Sequence, residues 1–233
     1  MKLAIFDIDG TLTNTNDVDN DCFVKAFAES LAITAINSNW AEYPHTSDSG
    51  ITDDIFQKRF GRAPTAAELT QLKTCFVSLL KGRYRSDSAN FTEISGASIA
   101  LEQLKQEFDW GVAIATGCWR ESALLKLRVA NIEADEIPIA YAEDGLSREE
   151  ILQAAIARAL DRYQQISFER IVSVGDAVWD VRAASRLKLA FIGVGAGESA
   201  ERLHQVGAAD VIENFVDYAH FVKALDRAQV PSL

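Results

Sequence analysis

The sequence predicts an α/β protein, a doubly wound parallel sheet with a smaller all-helical unit inserted after its first strand. Three observations carry that expectation. Short apolar runs recur at residues 3–6, 112–115, 137–140, 171–174, 190–194 and, more weakly, 210–212. Several are hydrophobic at successive rather than alternate positions, as strands covered on both faces are. After the first run, helical stripes fill the gaps, and strand–helix alternation of this kind builds parallel sheets.

Each element has its own signal. The run 3–6 leads directly into Asp7, Asp9 and Gly10. Residues i and i+2 of a strand share a face, so the two acids leave the strand end together. Residues 14–92 then break the rhythm, with helical patterns and no buried strand. Helices are expected over 20–31 and 52–60. A third follows Pro64, where Thr65-Ala-Ala-Glu68 spells a capping box and Leu69, Leu72, Phe76, Leu79 and Leu80 recur at helical spacing. The polar stretch 45–50 reads as a loop tip between helices, or as a helix start capped by Asp48 or Ser49. Leu101, Leu104 and Phe108 form the next stripe. The second strand, 112–115, runs into Thr116-Gly117, and a helix follows over 123–130. Ser147-Arg148-Glu149-Glu150 is a second capping-box spelling, opening a helix whose stripe runs from Ile151 to Leu160. The strand 171–174 ends at Gly175, Asp176 and, one turn on, Asp180. The sheet unit is therefore assigned to 1–13 and 93–233, and the insert to 14–92.

Composition excludes several classes. Of 233 residues, 48% are hydrophobic and 24% charged, as in ordinary soluble domains. The net charge of −11 argues against nucleic-acid or anionic membrane surfaces, which need clustered Lys and Arg. No protein partner is indicated. Cys22, Cys75 and Cys118 form no C-x-x-C pair, so neither a disulfide framework nor a thiolate zinc site is suggested. Three free thiols suit a reducing cytoplasm. The apolar start is cut short by Asp7, well below the ~7–15 residues of a signal core, and nothing approaches the ~20 residues of a membrane span.

Open parallel sheets bind ligands outside the carboxyl ends of their strands. Two carboxylates as close as Asp7 and Asp9 repel unless a cation or a shared proton intervenes. A metal and phosphoryl chemistry explain them most simply. With Asp7-Ile-Asp9-Gly-Thr-Leu-Thr13, Thr116-Gly117, Arg148 and Gly175-Asp176-Ala-Val-Trp-Asp180 in this order, the chain resembles the haloacid dehalogenase superfamily of phosphohydrolases. It looks most like the members with a helical cap, the phosphoglycolate phosphatases and β-phosphoglucomutases.

The resemblance implies a Rossmann-like core, a cap domain over 14–92, a magnesium ion and a small phosphorylated substrate. It implies that Asp7 attacks phosphorus and ligates the metal. The carbonyl of Asp9 and the carboxylate of Asp176 would be further ligands, with Asp180 acting through water or from behind them. The Asp9 side chain would protonate the leaving alcohol and then deprotonate the attacking water. Thr116 and the backbone N–H of Gly117 would hold phosphoryl oxygens. Arg148 stands where the family more often has lysine. As a permanent cation with a planar fork, it can join a phosphoryl oxygen to a carboxylate. In a first helical turn a cation is unfavourable unless it faces an anion. Lys126 and Arg128 are rivals for that role.

Simpler readings stand beside these. Thr116 could cap the helix after it, and Asp180 could be an exposed partner of Arg182 or Arg186. Cys118 reads as a small packing residue, and Trp119 and Trp179 as core or as pocket wall. His45, His204 and His220 show no metal-ligand spacing. The expected function is a magnesium-dependent phosphatase acting on a small metabolite through an aspartyl-phosphate, with a phosphomutase of the same architecture as the alternative. Dehalogenation and phosphonate cleavage are opposed by the acid at Asp9. A non-catalytic relative would be expected to lose Asp7, Asp9 or Asp176, and all three are present.

Overall fold

A computed structural model of the chain describes residues 1–232. Its centre is β1 (Lys2–Phe6), and its alternating side chains show why the run is apolar throughout. Ala4 and Phe6 enter one buried cluster, and Leu3 and Ile5 enter another on the opposite face. A strand covered on both sides has no position to spare for a polar residue until it reaches the rim.

The remaining strands are β2 (Trp110–Ala115), β3 (Ile139–Ala140), β4 (Ile171–Gly175), β5 (Ala190–Val194) and β6 (Asp210–Ile212). They form one parallel six-stranded sheet in the order β3-β2-β1-β4-β5-β6. Each of the six apolar runs of the sequence holds a strand, although in 137–140 it is confined to Ile139–Ala140. The winding reverses between β1 and β4, the place where open α/β sheets bind ligands.

Helices α4 (Ala97–Gln106), α5 (Arg120–Val129) and α9 (Tyr218–Arg227) cover one face. On the other lie α6 (Arg148–Arg162) and α7 (Val178–Leu187), with α8 (Glu198–Gln205) beside β5 and β6. Numbered in chain order, α1 (Asn16–Leu31), α2 (Asp48–Phe60) and α3 (Ala66–Ser86) precede these. They share an apolar cluster of their own, in which Val18, Phe23 and Phe27 meet Ile51, Ile55, Phe56, Leu72, Phe76 and Leu80. Trp119, on the loop after β2, reaches into that cluster with ring centroids 5.7 Å from Phe23 and 6.1 Å from Phe76.

The chain leaves and rejoins the sheet unit at one seam. Asn14 N–H donates to the Thr92 carbonyl at 2.8 Å, and Ile94 N–H to the Leu12 carbonyl at 2.9 Å. Both capping boxes form, at Thr65–Glu68 and at Ser147–Glu150.

One expectation fails and another is moved. Phe108 is not on the α4 stripe; the helix ends at Gln106 and Phe108 is exposed. The stretch 45–50 takes the second of its two readings, a helix start, with the cap at Ser47 and not at Asp48 or Ser49. Ser47 caps α2, accepting the Gly50 N–H, and Ser47, Asp48 and Gly50 are buried. Their polarity serves hydrogen bonds across an interface, which composition alone does not distinguish from solvent exposure.

Candidate active site

Register sets the rim. Phe6 pairs with Ile114 on one side and Val174 on the other, so the chains after β1, β2 and β4 emerge level. Asp7 is still held to the sheet, its N–H donating to the Val174 carbonyl at 3.0 Å. Gly10 then turns the chain at φ +73°, and a Cβ there would collide with the Asp176 carboxylate and the Asn16 amide. Only glycine meets both conditions.

Asp7, Asp176 and Asp180 converge, with one carboxylate oxygen of each within 4.8 Å of the others. Arg148 reaches them from the first turn of α6, its Nη1 3.1 Å from Asp7 Oδ1 and 3.7 Å from Asp180 Oδ1. The Asn16 amide donates to Asp176 Oδ2 at 2.9 Å, and the Thr11 hydroxyl to Asp176 Oδ1 at 3.4 Å. Burial drives the Asp176 carboxyl well above the usual range, and the charges of Asp180 and Asp7 add to it. Burial also pushes Asp180 up to about 7, against the pull of Arg148. Burial alone would lower the Arg148 guanidinium, but Asp7 and Asp180 hold it above its ordinary value.

Three carboxyl groups face one guanidinium, and once all are ionised they leave an excess of two negative charges. One divalent cation would neutralise it, and an all-oxygen donor set with carboxylates suits magnesium. The residues present therefore fit the metal. Asp180 is not the exposed partner of Arg182 or Arg186; it is buried and accepts the Ala177 N–H at 3.2 Å. Thr116 is buried too, and it does not cap α5. Its hydroxyl accepts the Cys118 N–H at 3.2 Å and shapes the loop. Gly117 lies flat against Arg148: a Cβ there would stand 2.8 Å from the guanidinium carbon.

The side chain of Asp9 faces a different cluster. Lys126, fully buried in α5, places Nζ 2.5 Å from Asp9 Oδ2, 2.6 Å from Asp19 Oδ1 and 3.0 Å from Cys118 Sγ. The Thr15 hydroxyl donates to Asp9 Oδ1 at 2.5 Å, and the Cys118 thiol to Asp9 Oδ2 at 2.7 Å. Burial works to raise the Asp9 carboxyl, but Lys126 and these donors hold it below the usual carboxylate range. Asp19 shares the same ammonium, and burial pushes it up to about 6. Burial and the neighbouring Asp9 charge drive the Cys118 thiol well up, so it is no nucleophile. Lys126 and Arg148 are thus not rivals: Arg148 meets Asp7 and Lys126 meets Asp9. Arg128 borders a separate groove along α5 and β3.

Asp19 and Lys126 carried a signal that sequence reasoning missed. Lys126 falls on the buried stripe of Ala123, Leu127 and Ala130, and Asp19 on that of Cys22, Phe23 and Ala26. Opposite charges, each inside an apolar stripe, forecast a buried pair.

The insert closes on the rim through residues 47–49. Asp48 N–H donates to the Gly117 carbonyl at 2.7 Å, and the Trp119 indole to Ser49 Oγ at 3.0 Å. The Ser47 hydroxyl donates to the Leu146 carbonyl at 2.7 Å. Beside Arg148, a cavity of about 130 Å³ runs between Tyr43, His45, Trp179 and Arg182. The larger groove by β3, about 1070 Å³, includes none of Asp7, Asp9, Asp176 or Asp180.

A family model described as haloacid dehalogenase-like hydrolase matches residues 1–188. No curated protein matches the chain. Among solved structures, a hydrolase from Pseudomonas syringae is 20% identical with a TM-score of 0.71, covering 97% of this chain and 99% of that one. A putative beta-phosphoglucomutase from Bacteroides vulgatus is 16% identical at TM-score 0.66, over 97% of this chain and 89% of that one. CbbY from Rhodobacter sphaeroides, solved in complex with phosphate, is 17% identical at TM-score 0.66, over 92% and 95%. At these identities the solved structures speak for the fold.

Proposed function

We propose that this chain, which belongs to the haloacid dehalogenase-like hydrolase family, is a magnesium-dependent phosphatase that hydrolyses a small phosphorylated metabolite through an aspartyl-phosphate on Asp7. The observation that carries the reading is the meeting of Asp7, Asp176 and Asp180 with Arg148 at the point where the sheet reverses. Asp7, Asp176, Asp180 and the carbonyl of Asp9 would hold the magnesium ion, which offsets charge between the carboxylate nucleophile and an anionic ester.

The protein's own groups do the rest. Asp7 attacks phosphorus, splitting one difficult hydrolysis into two easier steps. Arg148 keeps the Asp7 oxygen directed and meets the developing phosphoryl charge. Thr116 and the Gly117 N–H bind phosphoryl oxygens. The Asp9 side chain gives a proton to the leaving oxygen and later takes one from water. Residues 14–92 act as a cap on a core of 1–13 and 93–233; the hydrogen-bonded seam at 12–14 and 92–94 supports those boundaries. No helix among the described residues is long and apolar enough to cross a membrane. The free thiols Cys22, Cys75 and Cys118 fit a reducing compartment, and the cytoplasm is the proposed location.

A phosphomutase is the second reading, favoured by the seating of residues 47–49 on both rim loops. A tight seat keeps water from an aspartyl-phosphate and leaves a sugar hydroxyl as acceptor. A panel of sugar phosphates, phosphorylated acids, nucleotides and a chromogenic ester with magnesium separates the two. Inorganic phosphate identifies the hydrolase and isomerised sugar phosphate the mutase. Asp7→Asn should lower turnover by at least about 1,000-fold with the fold intact; full activity in that variant would refute both.

A further inference from the structure

The arginines of α7 have no part in the chemistry above. Trp179, Arg182 and Arg186 stand three and four residues apart on that helix, so they share one side of it. With Arg148 and Glu149 from the first turn of α6, and with the insert stretch 41–46, they line the cavity of about 130 Å³ beside the rim. Arg148 borders both places, since its Nη1 stands 3.1 Å from Asp7 Oδ1. The carboxylate cluster and the cavity are thus one side chain apart.

The charges of this wall do not balance. Three arginines meet one carboxylate, Glu149, and Arg186 already holds it, Nη1 to Oε1 at 2.6 Å. Arg148 is turned to Asp7 and Asp180. Arg182 is exposed and has no carboxylate partner among the described residues, and the insert side of the cavity brings none. The Trp179 indole N–H is buried with no acceptor among those residues. Buried donors are nearly always matched, so an unmatched one marks a place for an acceptor. In a chain of net charge −11, an uncommitted cation beside an unmatched donor runs against the general trend.

We propose that Arg182 and Trp179 form a specificity subsite for a second oxyanion, a carboxylate or a further phosphate, at the far end of a short phosphoester held at Asp7. The uncommitted groups on α7 are donors, which selects an acceptor. Arg182 supplies charge and a planar fork that suits either anion, and the indole supplies one neutral N–H. The cavity is well under the ~300–1,000 Å³ that a drug-sized ligand fills, so it takes a short tail and leaves out a nucleoside. The substrate class is then a small phosphorylated acid or bisphosphate. This rests on the phosphatase reading above and narrows its substrate.

The test uses the full-length protein with magnesium and three esters that share one short alkyl chain and differ at its end. They are an ω-carboxyalkyl phosphate, its carboxamide and the alkanediol bisphosphate. Released phosphate gives kcat/KM. Wild type should prefer one of the anionic esters to the carboxamide by about tenfold or more, the scale of a charged hydrogen bond, and the better one names the anion. Arg182→Met should erase that preference, chiefly through KM. Salt at about 1 M, where the screening length is about 3 Å, should shrink it in wild type. Trp179→Phe, which removes the N–H and keeps a ring, should reduce it about threefold; no effect there would overturn the indole's part.

A wild type indifferent to the tail, or an equal loss on all three esters in R182M, would overturn the subsite and leave the phosphatase reading in place. If wild type hydrolyses none of them, that reading fails. Calorimetric titration with the ω-carboxyalkyl phosphonate and its carboxamide then decides the subsite. Tighter binding of the acid in wild type but not in R182M supports it, and equal or absent binding overturns it.

Discussion

The carboxylate of Asp48 accepts the backbone N–H of Trp119 at 2.8 Å, joining the first turn of α2 to the loop that carries Thr116 and Gly117. Burial raises this carboxyl well above its ordinary value, with the Asp19 charge adding to the effect. An acceptor is needed there, not a charge. Asp48→Asn should therefore keep stability within about 1 kcal/mol, while Asp48→Ala leaves a buried N–H unpaired and should cost about 1–3 kcal/mol. Urea unfolding measures both, and KM for the phosphoester should rise in the alanine variant alone. A D48A protein as stable as D48N would refute this role.

Gly117→Ala separates folding from activity. The new Cβ would stand 2.8 Å from Cζ and Nη2 of Arg148, the mobile end of a long side chain, so the fold should tolerate it within about 1 kcal/mol. The guanidinium must move from Asp7, and kcat/KM should fall by about 10- to 100-fold. Steady-state kinetics beside thermal unfolding decides; unchanged kinetics would show that the Arg148–Asp7 contact at 3.1 Å is dispensable.

Asp19 should leave a mark on stability against pH. Its carboxyl is raised from 3.8 to about 6 in the folded chain, chiefly by burial. Between those values the folded state binds the extra proton, so this contribution to stability is full below about pH 4 and lost as pH rises through about 6. Asp19→Asn should remove that decline. Urea midpoints from pH 4 to 7 that fall equally in wild type and D19N would contradict it.

Magnesium should stabilise the protein apart from any turnover. A cation bound only by the folded state adds about 2.7 kcal/mol at a hundred times its Kd. The rise in Tm should vanish in Asp176→Asn and with excess EDTA. Persistence of the full shift in D176N would place the ion elsewhere.

How far the sequence could be read depended on whether a signal was local. The six strands were legible because two-sided burial leaves an unbroken apolar run, as at Ile5 and Phe6. Asp7, Asp9 and Asp176 were legible because they interrupt such runs at their ends. Ser147–Glu150 and Thr65–Glu68 were legible because a capping box is complete within four residues. Asp48, Asp19 and Lys126 needed knowledge of which helix faces which loop. Each is polar in a place where solvent would ordinarily explain it. Only the apolar neighbours of Lys126 and Asp19, about one helical turn away, pointed inward.

The twin crossings at Leu12–Asn14 and Thr92–Ile94 lie beside each other, with Thr13 and Glu93 bridged antiparallel. A hairpin turn of about two residues could therefore span the gap if residues 14–92 were excised. Excision would bare Trp119 above all, whose ring belongs to the removed cluster while its backbone belongs to the sheet, with Ala142, Leu125 and Val129 beside it. That one indole makes transplanting a foreign roof onto this chain a problem of aromatic fit before it is one of chemistry.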